Sequence, residues 1–152
     1  MEQRLKFCRL AAKLSAPETA QGMGLHKDSY WRLEVHCQRM SCSHLVAFCN
    51  ITQADIGFIL HGVSQPPLIP LEGDTIGSRI ASLRRQAKLS VRAFNAKCGF
   101  PQNSSSVTAW ERGRYIPEVR SILTIAKAFH INAASFLAQR CLVESKKRGI
   151  LD

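Results

Sequence analysis

The chain has no apolar run near the roughly 18 residues a bilayer-spanning helix needs, so no membrane association is expected. Its first twenty residues, MEQRLKFCRLAAKLSAPETA, lack the sustained apolar core of a secretory signal, which points to the cytosol. Acidic residues are scarce: 11 Asp and Glu stand against 21 Lys and Arg, a formal net charge of +10. That excess favours a polyanionic partner, most simply nucleic acid. No period-2 alternation marks a strand, so β architectures are excluded and an all-α fold is expected. Paired CxxC motifs are absent. Cys37, Cys42 and Cys49 follow a C-x4-C-x6-C pattern that does not suit zinc. With Cys8, Cys98 and Cys141 they read as reduced thiols of a cytosolic protein. The run Ser104–Ser105–Ser106 has no base-and-acid partner at a useful spacing, so no enzyme is expected, and no metal or cofactor either.

What is present suits a folded protein. The 152 residues are 45% hydrophobic and 21% charged, enough for one ordinary domain or two small ones. Charge is uneven: residues 1–65 carry a net +2, whereas residues 66–152 carry +8.

The chain also repeats itself. Ala12-Lys13-Leu14-Ser15 recurs as Ala87-Lys88-Leu89-Ser90, an offset of 75. At that offset Arg4 matches Arg79, Arg9 matches Arg84 and Gly24 matches Gly99, while Ala20 and Asn95 match poorly. Leu5 and Cys8 fall opposite Ile80 and Leu83, and Met23 opposite Cys98. Beyond the glycine the offset becomes 77, pairing Glu34 with Glu111, because Phe100-Pro101-Gln102-Asn103 holds two extra residues. Further on, an offset of 80 pairs Cys42 with Ile122, Leu45 with Ile125, Cys49 with Phe129 and Ile56 with Phe136. This implies a loop after the glutamate three residues longer in the second copy.

Each copy reads as about five short helices. Ser15 and Ser90 are expected N-caps of the second helix, Gly24 and Gly99 its stops, and Asn103 the cap of the third helix in the second copy. Val119, Ile122, Ile125, Ala126 and Phe129 form an apolar stripe on helix four. The chain divides into an N-terminal unit (1–62), a Pro- and Gly-rich linker (63–74), a C-terminal unit (75–140) and a basic tail (141–152). The cysteines opposite Ile, Leu, Phe and Met are expected to pack as small hydrophobes.

A Ser-capped helix, a glycine turn and a second helix ending in Leu-Glu or Trp-Glu look like a helix-turn-helix. LSAPETAQGMGLHKDSYWRLE (14–34) and LSVRAFNAKCGF…SSSVTAWERGRYIPE (89–118) resemble the Cro/CI-type (XRE) DNA-binding family, and so does the ending ITQADIGFILHG (51–62). The resemblance covers about four-fifths of the chain. It implies two tandem lambda-repressor-like domains. It also implies a structural ion pair between an Arg of helix one and the Glu ending the recognition helix: Arg9 with Glu34 and Arg84 with Glu111. A partly exposed pair of that kind stabilises by on the order of 0–1 kcal/mol. The sequence departs from the family at the start of helix two, where Ala16 and Val91 stand in place of the usual Gln.

The resemblance places His26, Lys27, Asp28 and Arg32 of the first copy, and Ser104, Ser105, Thr108 and Ala109 of the second, against the bases of double-stranded DNA. Lys27 and Arg32 can donate to guanine O6/N7 and Asp28 can accept from cytosine N4, whereas hydroxyls read ambiguously and Ala109 reaches only a thymine methyl. Ser15, Ser90, Arg112, Arg114, Tyr115, Lys146, Lys147 and Arg148 are the expected phosphate contacts. The implied function is a sequence-specific transcriptional regulator of the phage or mobile-element type in the bacterial cytosol. It would act as a monomer on an asymmetric site, its linker spanning adjacent turns, or as a homodimer on a longer palindrome. The competing reading is an antitoxin or antiactivator whose residues 1–62 bind a protein, suggested by the first copy's low charge and by Tyr30 and Trp31.

Overall fold

A computed structural model describes residues 1–137; the tail residues Lys146, Lys147 and Arg148 lie outside the described residues. The described chain is all-helical. The first half consists of α1 (Glu2–Ala11), α2 (Ala16–Gly22), α3 (Lys27–Val35), a 3-10 turn (Cys37–Arg39), α4 (Cys42–Thr52) and α5 (Ile56–His61). The second half follows the same order with α6 (Ile76–Gln86), α7 (Val91–Cys98), α8 (Ser106–Glu111), α9 (Val119–Phe129) and α10 (Ala134–Leu137).

Local chemistry explains the boundaries. Ser15 Oγ accepts from Glu18 N while the Glu18 carboxylate accepts from Ser15 N, a reciprocal capping box at the start of α2. Ser90 Oγ accepts from Ala93 N at the start of α7, and Thr75 caps α6 through Ser78. Asn103 does not cap α8: the N-cap is Ser105, which makes no side-chain cap bond, because the longer loop sets the helix start two residues later, and Ser104 Oγ accepts from Ser106 N just ahead of it.

The repeat is visible in bonds as well as in helices. Lys13 and Lys88, 75 residues apart, both adopt left-handed backbone conformations (φ 58° and 55°). Arg9 and Arg84 each donate through Nη1 to the carbonyl of the leucine that follows, Leu14 and Leu89. Arg4 donates to the carbonyls of Ile59 and Leu60 in α5, and Arg79 donates to that of Phe136 in α10.

These bonds correct the offset in the later part. Helices α4 and α9 are capped at Ser41 and Glu118, and their left-handed C-caps are Gln53 and His130; both pairs are 77 apart. The fully buried pairs are Cys42 with Val119, Leu45 with Ile122 and Phe48 with Ile125. The loop after the glutamate is therefore equally long in both halves, and the offset of 80 is wrong. A shift of three residues is nearly one helical turn, so apolar residues meet apolar residues in either register.

The buried side chains of both halves join into one cluster. Residues 63–74 do not run free between them. Pro67 O accepts from Asn132 N, Ile69 N donates to Ser135 Oγ and Glu72 N donates to Ser82 Oγ, while Ile69 and Leu71 pack on the core. Between the halves Cys42 N donates to Pro117 O (3.2 Å) and Val119 N to Met40 O (2.9 Å), so that Ser41 and Glu118 face each other in an antiparallel bridge.

Candidate nucleic-acid interface

Helix α3 buries one face and presents the other. Tyr30 is buried and Leu33 half-buried, while Lys27, Asp28, Ser29, Trp31, Arg32 and Val35 are exposed. Spacings of three and four residues bring Asp28, Trp31, Arg32 and Val35 onto one outward stripe. His26 is the N-cap. Its Nδ1 accepts from Asp28 N (3.4 Å) and lies 3.6 Å from Asp28 Oδ2, so the ring turns back on its own helix. Tyr30 cannot meet a partner as the sequence suggested. Its ring is 1% exposed, and burial, together with the nearby Glu34, pushes its phenol up to about 12.

Helix α8 is shorter, and its approach is rebuilt. Asn95, fully buried on α7, donates from Nδ2 to the carbonyls of Gln102 (3.3 Å) and Ser104 (3.1 Å). The poor match of Ala20 with Asn95 thereby finds its cause. The longer loop of the second half leaves carbonyls turned inward, and the amide satisfies them. Ser105 is exposed, whereas Ser104, Thr108 and Ala109 are half-buried. The Ser104 hydroxyl also donates to Ser106 Oγ. Of the second set, Ser105 is the most accessible.

Each helix is held from behind by an Arg–Glu pair. Arg84 Nε and Nη2 bind Glu111 Oε1 and Oε2 at 2.7 and 2.9 Å, a two-pronged geometry. Arg9 binds Glu34 more loosely, at 3.1 and 3.5 Å. The side chains are 18% and 13% exposed in the first pair and 9% and 13% in the second. Both are thus far less solvated than an ordinary surface pair, so removing one partner alone would strand a largely buried charge. The bonds from Glu111 raise the pKa of Arg84 further.

The cations lie mostly outside the pairs. Arg112 is the C-cap of α8, Gly113 turns left-handed (φ 68°), and Arg114 N returns to Ala109 O (2.9 Å). Arg112, Arg114 and Tyr115 are exposed on this turn. Ser15 and Ser90 use their hydroxyl acceptors as caps. In the first half the capping carboxylate of Glu18 occupies the first turn of α2, and the Ser15 bonds lower its pKa. A carboxylate there repels phosphate. The second half has Ala93 at that place and, beside it, exposed Arg92, whose Nε donates to Gln102 Oε1 (3.0 Å). Sequence reasoning missed Arg92 and Gln102, and also Arg39, exposed in the turn after α3.

The described cysteines are all buried, and among the described residues no group of His, Cys, Asp and Glu could hold a metal. None of the described helices is long and apolar enough to cross a membrane. No family model, curated protein or solved structure matches the chain.

Proposed function

We propose that this protein is a sequence-specific, double-stranded DNA-binding transcriptional regulator of the Cro/CI helix-turn-helix kind, acting in the bacterial cytosol without a cofactor. The observation that carries the reading is the repeated Arg–Glu pair behind a short helix, with Lys27, Asp28 and Arg32 exposed on α3 and an exposed basic turn after α8. In this reading α3 presents Lys27, Asp28 and Arg32 to base edges, a donor and acceptor set able to discriminate bases. The half containing α8 contributes chiefly phosphate attraction through Arg112 and Arg114, to which exposed Arg92 of α7 adds. Occupying the operator would exclude or recruit polymerase.

The test is selection of duplexes from a randomised pool by the full chain, followed by salt titration of the enriched sequence. Each phosphate contact contributes about 0.9 to the slope of log K against log salt. Arg112→Gln with Arg114→Gln should therefore flatten the slope by about 2 and leave the preferred sequence unchanged. Lys27→Ala or Arg32→Ala should relax specificity at single positions, at a cost of about 1–3 kcal/mol each. Failure to enrich any sequence would remove this reading. A second reading, an antitoxin or antiactivator docking a protein on α3, is favoured by Trp31, 60% exposed beside exposed Val35. Trp31→Ala would then abolish capture of a single protein partner while leaving DNA binding unaffected.

A further inference from the structure

We infer that the two halves form a closed pseudo-dimer within one chain, and that one chain occupies two successive major grooves at a rigid spacing. This rests on the DNA-binding reading above and specifies the form of its site.

The inference comes from the contact between the halves. Cys42 N reaches Pro117 O, and Val119 N reaches Met40 O. Met40 and Pro117 are 77 apart, and so are Cys42 and Val119. The two bonds are therefore one bond and its counterpart, with Ser41 and Glu118, also 77 apart, on the axis between them. Residue i meeting j while the copy of i meets the copy of j is the signature of a two-fold interface. Here it lies inside a single chain. Helix α5 packs against α10, the element at the matching place in the other half. A two-fold contact closes on itself: each half has spent this patch on the other, so a second chain finds no copy of it free.

The contact is also rigid. Met40, Cys42, Pro117 and Val119 are all buried. His61 Nε2 accepts from Ala133 N (3.0 Å) and Asn132 Nδ2 donates to Gln65 Oε1 (3.3 Å), tying α5 and the start of the connecting segment to the second half. With Pro67 and Ile69 also bonded across, residues 63–74 cannot act as an extensible tether. The positions of α3 and α8 are set by the fold. DNA has local two-fold axes, and helices related by one fit half-sites about one turn, 10–10.5 bp, apart. Because Lys27, Asp28 and Arg32 have no chemical counterparts in Ser104, Ser105 and Ala109, the two half-sites should differ in sequence although the frame is symmetric.

The experiment uses the full chain and the duplex it enriches. Light scattering should give one chain per duplex, and one chain in free solution at micromolar concentration. Inserting 5 bp or 10 bp at the centre of the site should each weaken binding about tenfold or more, since either change removes one half-site. A flexible tether would instead lose affinity at 5 bp and recover it at 10 bp, where the half-sites return to one face. Recovery at 10 bp, or two chains on one duplex, overturns the rigid pseudo-dimer and leaves DNA reading intact. Absence of any enriched duplex overturns both.

Discussion

Substituting Glu111 tests how far the Arg–Glu pair governs the second half. In Glu111→Gln one oxygen becomes an NH2 group facing a guanidinium, so one charge-assisted bond is replaced by a donor–donor contact. The partner Arg84 keeps its bond to Leu89 O (3.0 Å) but remains mostly buried, at 18% exposure, without its counter-charge. Removing one member of a well-buried pair costs about 3–5 kcal/mol, and a bond to a charged group about 1.5–3 kcal/mol. With residual solvent access, about 2–4 kcal/mol is expected. At about 2–4 °C per kcal/mol for a chain of this size, melting should fall by roughly 4–16 °C. The assay is urea unfolding followed by circular dichroism, with the slope checked against the parent. One cooperative transition is expected, since both halves share a core. Glu34→Gln should cost less, because its bonds are 3.1 and 3.5 Å rather than 2.7 and 2.9 Å. Replacing both partners, as in Arg84→Met with Glu111→Leu, should recover much of the loss. A Glu111→Gln protein within about 0.5 kcal/mol of the parent would refute the argument, because that is the scale of an exposed pair.

Three further outcomes are expected. A Cβ on Gly77 would run into the Trp110 carbonyl oxygen, whereas one on Gly24 meets open space at a left-handed φ of 68°. Gly77→Ala should therefore lose about 1–3 kcal/mol by forcing α6 away from α8, and more than Gly24→Ala; the reverse order in urea midpoints would show that the two helices do not approach so closely. Burial, then the charge of Arg4, holds His61 below its usual 6.5, and the neutral ring accepts from Ala133 N. Folded protein binds fewer protons than unfolded in the window below 6.5, so this contribution is complete above that pH and declines as pH falls through the lowered value. Urea midpoints should fall from pH 7 to 5, and His61→Gln should flatten that trend; an equal slope in the variant argues against it. Burial pushes the thiols of Cys42 and Cys49 up to about 12, so alkylation at neutral pH should reach them only in urea, as mass mapping would report. Equal labelling of either in native protein would contradict their burial.

Local features were legible in the sequence because they depend on neighbours a few residues away. The caps at Ser15 and Ser90, the glycine stops and the helical periods belong to this class. So do the halves themselves, since Arg9 with Glu34 and Arg84 with Glu111 recur at matching places and the structure pairs them at bonding distance. The cap at Asn103 was misread because the signal is local but the helix start is not: buried Asn95 holds the loop from another helix.

By itself the sequence determined an all-helical chain, two copies of one five-helix plan, an excess of positive charge weighted to the second copy, and cysteines suited to a core. Tertiary structure alone decided the register of α4 against α9, the burial of the Arg–Glu pairs, the tying down of residues 63–74 and the two-fold contact around Ser41 and Glu118. The physical reason is the helical period. Apolar residues three or four apart repeat on one face, so a pattern slipped by three residues satisfies the same burial. What breaks the tie is a set of backbone donors and acceptors at Met40, Cys42, Pro117 and Val119 that carry no side-chain code. Once buried, the N–H groups of Cys42 and Val119 and the carbonyls of Pro117 and Met40 must find partners, and they find them in one another.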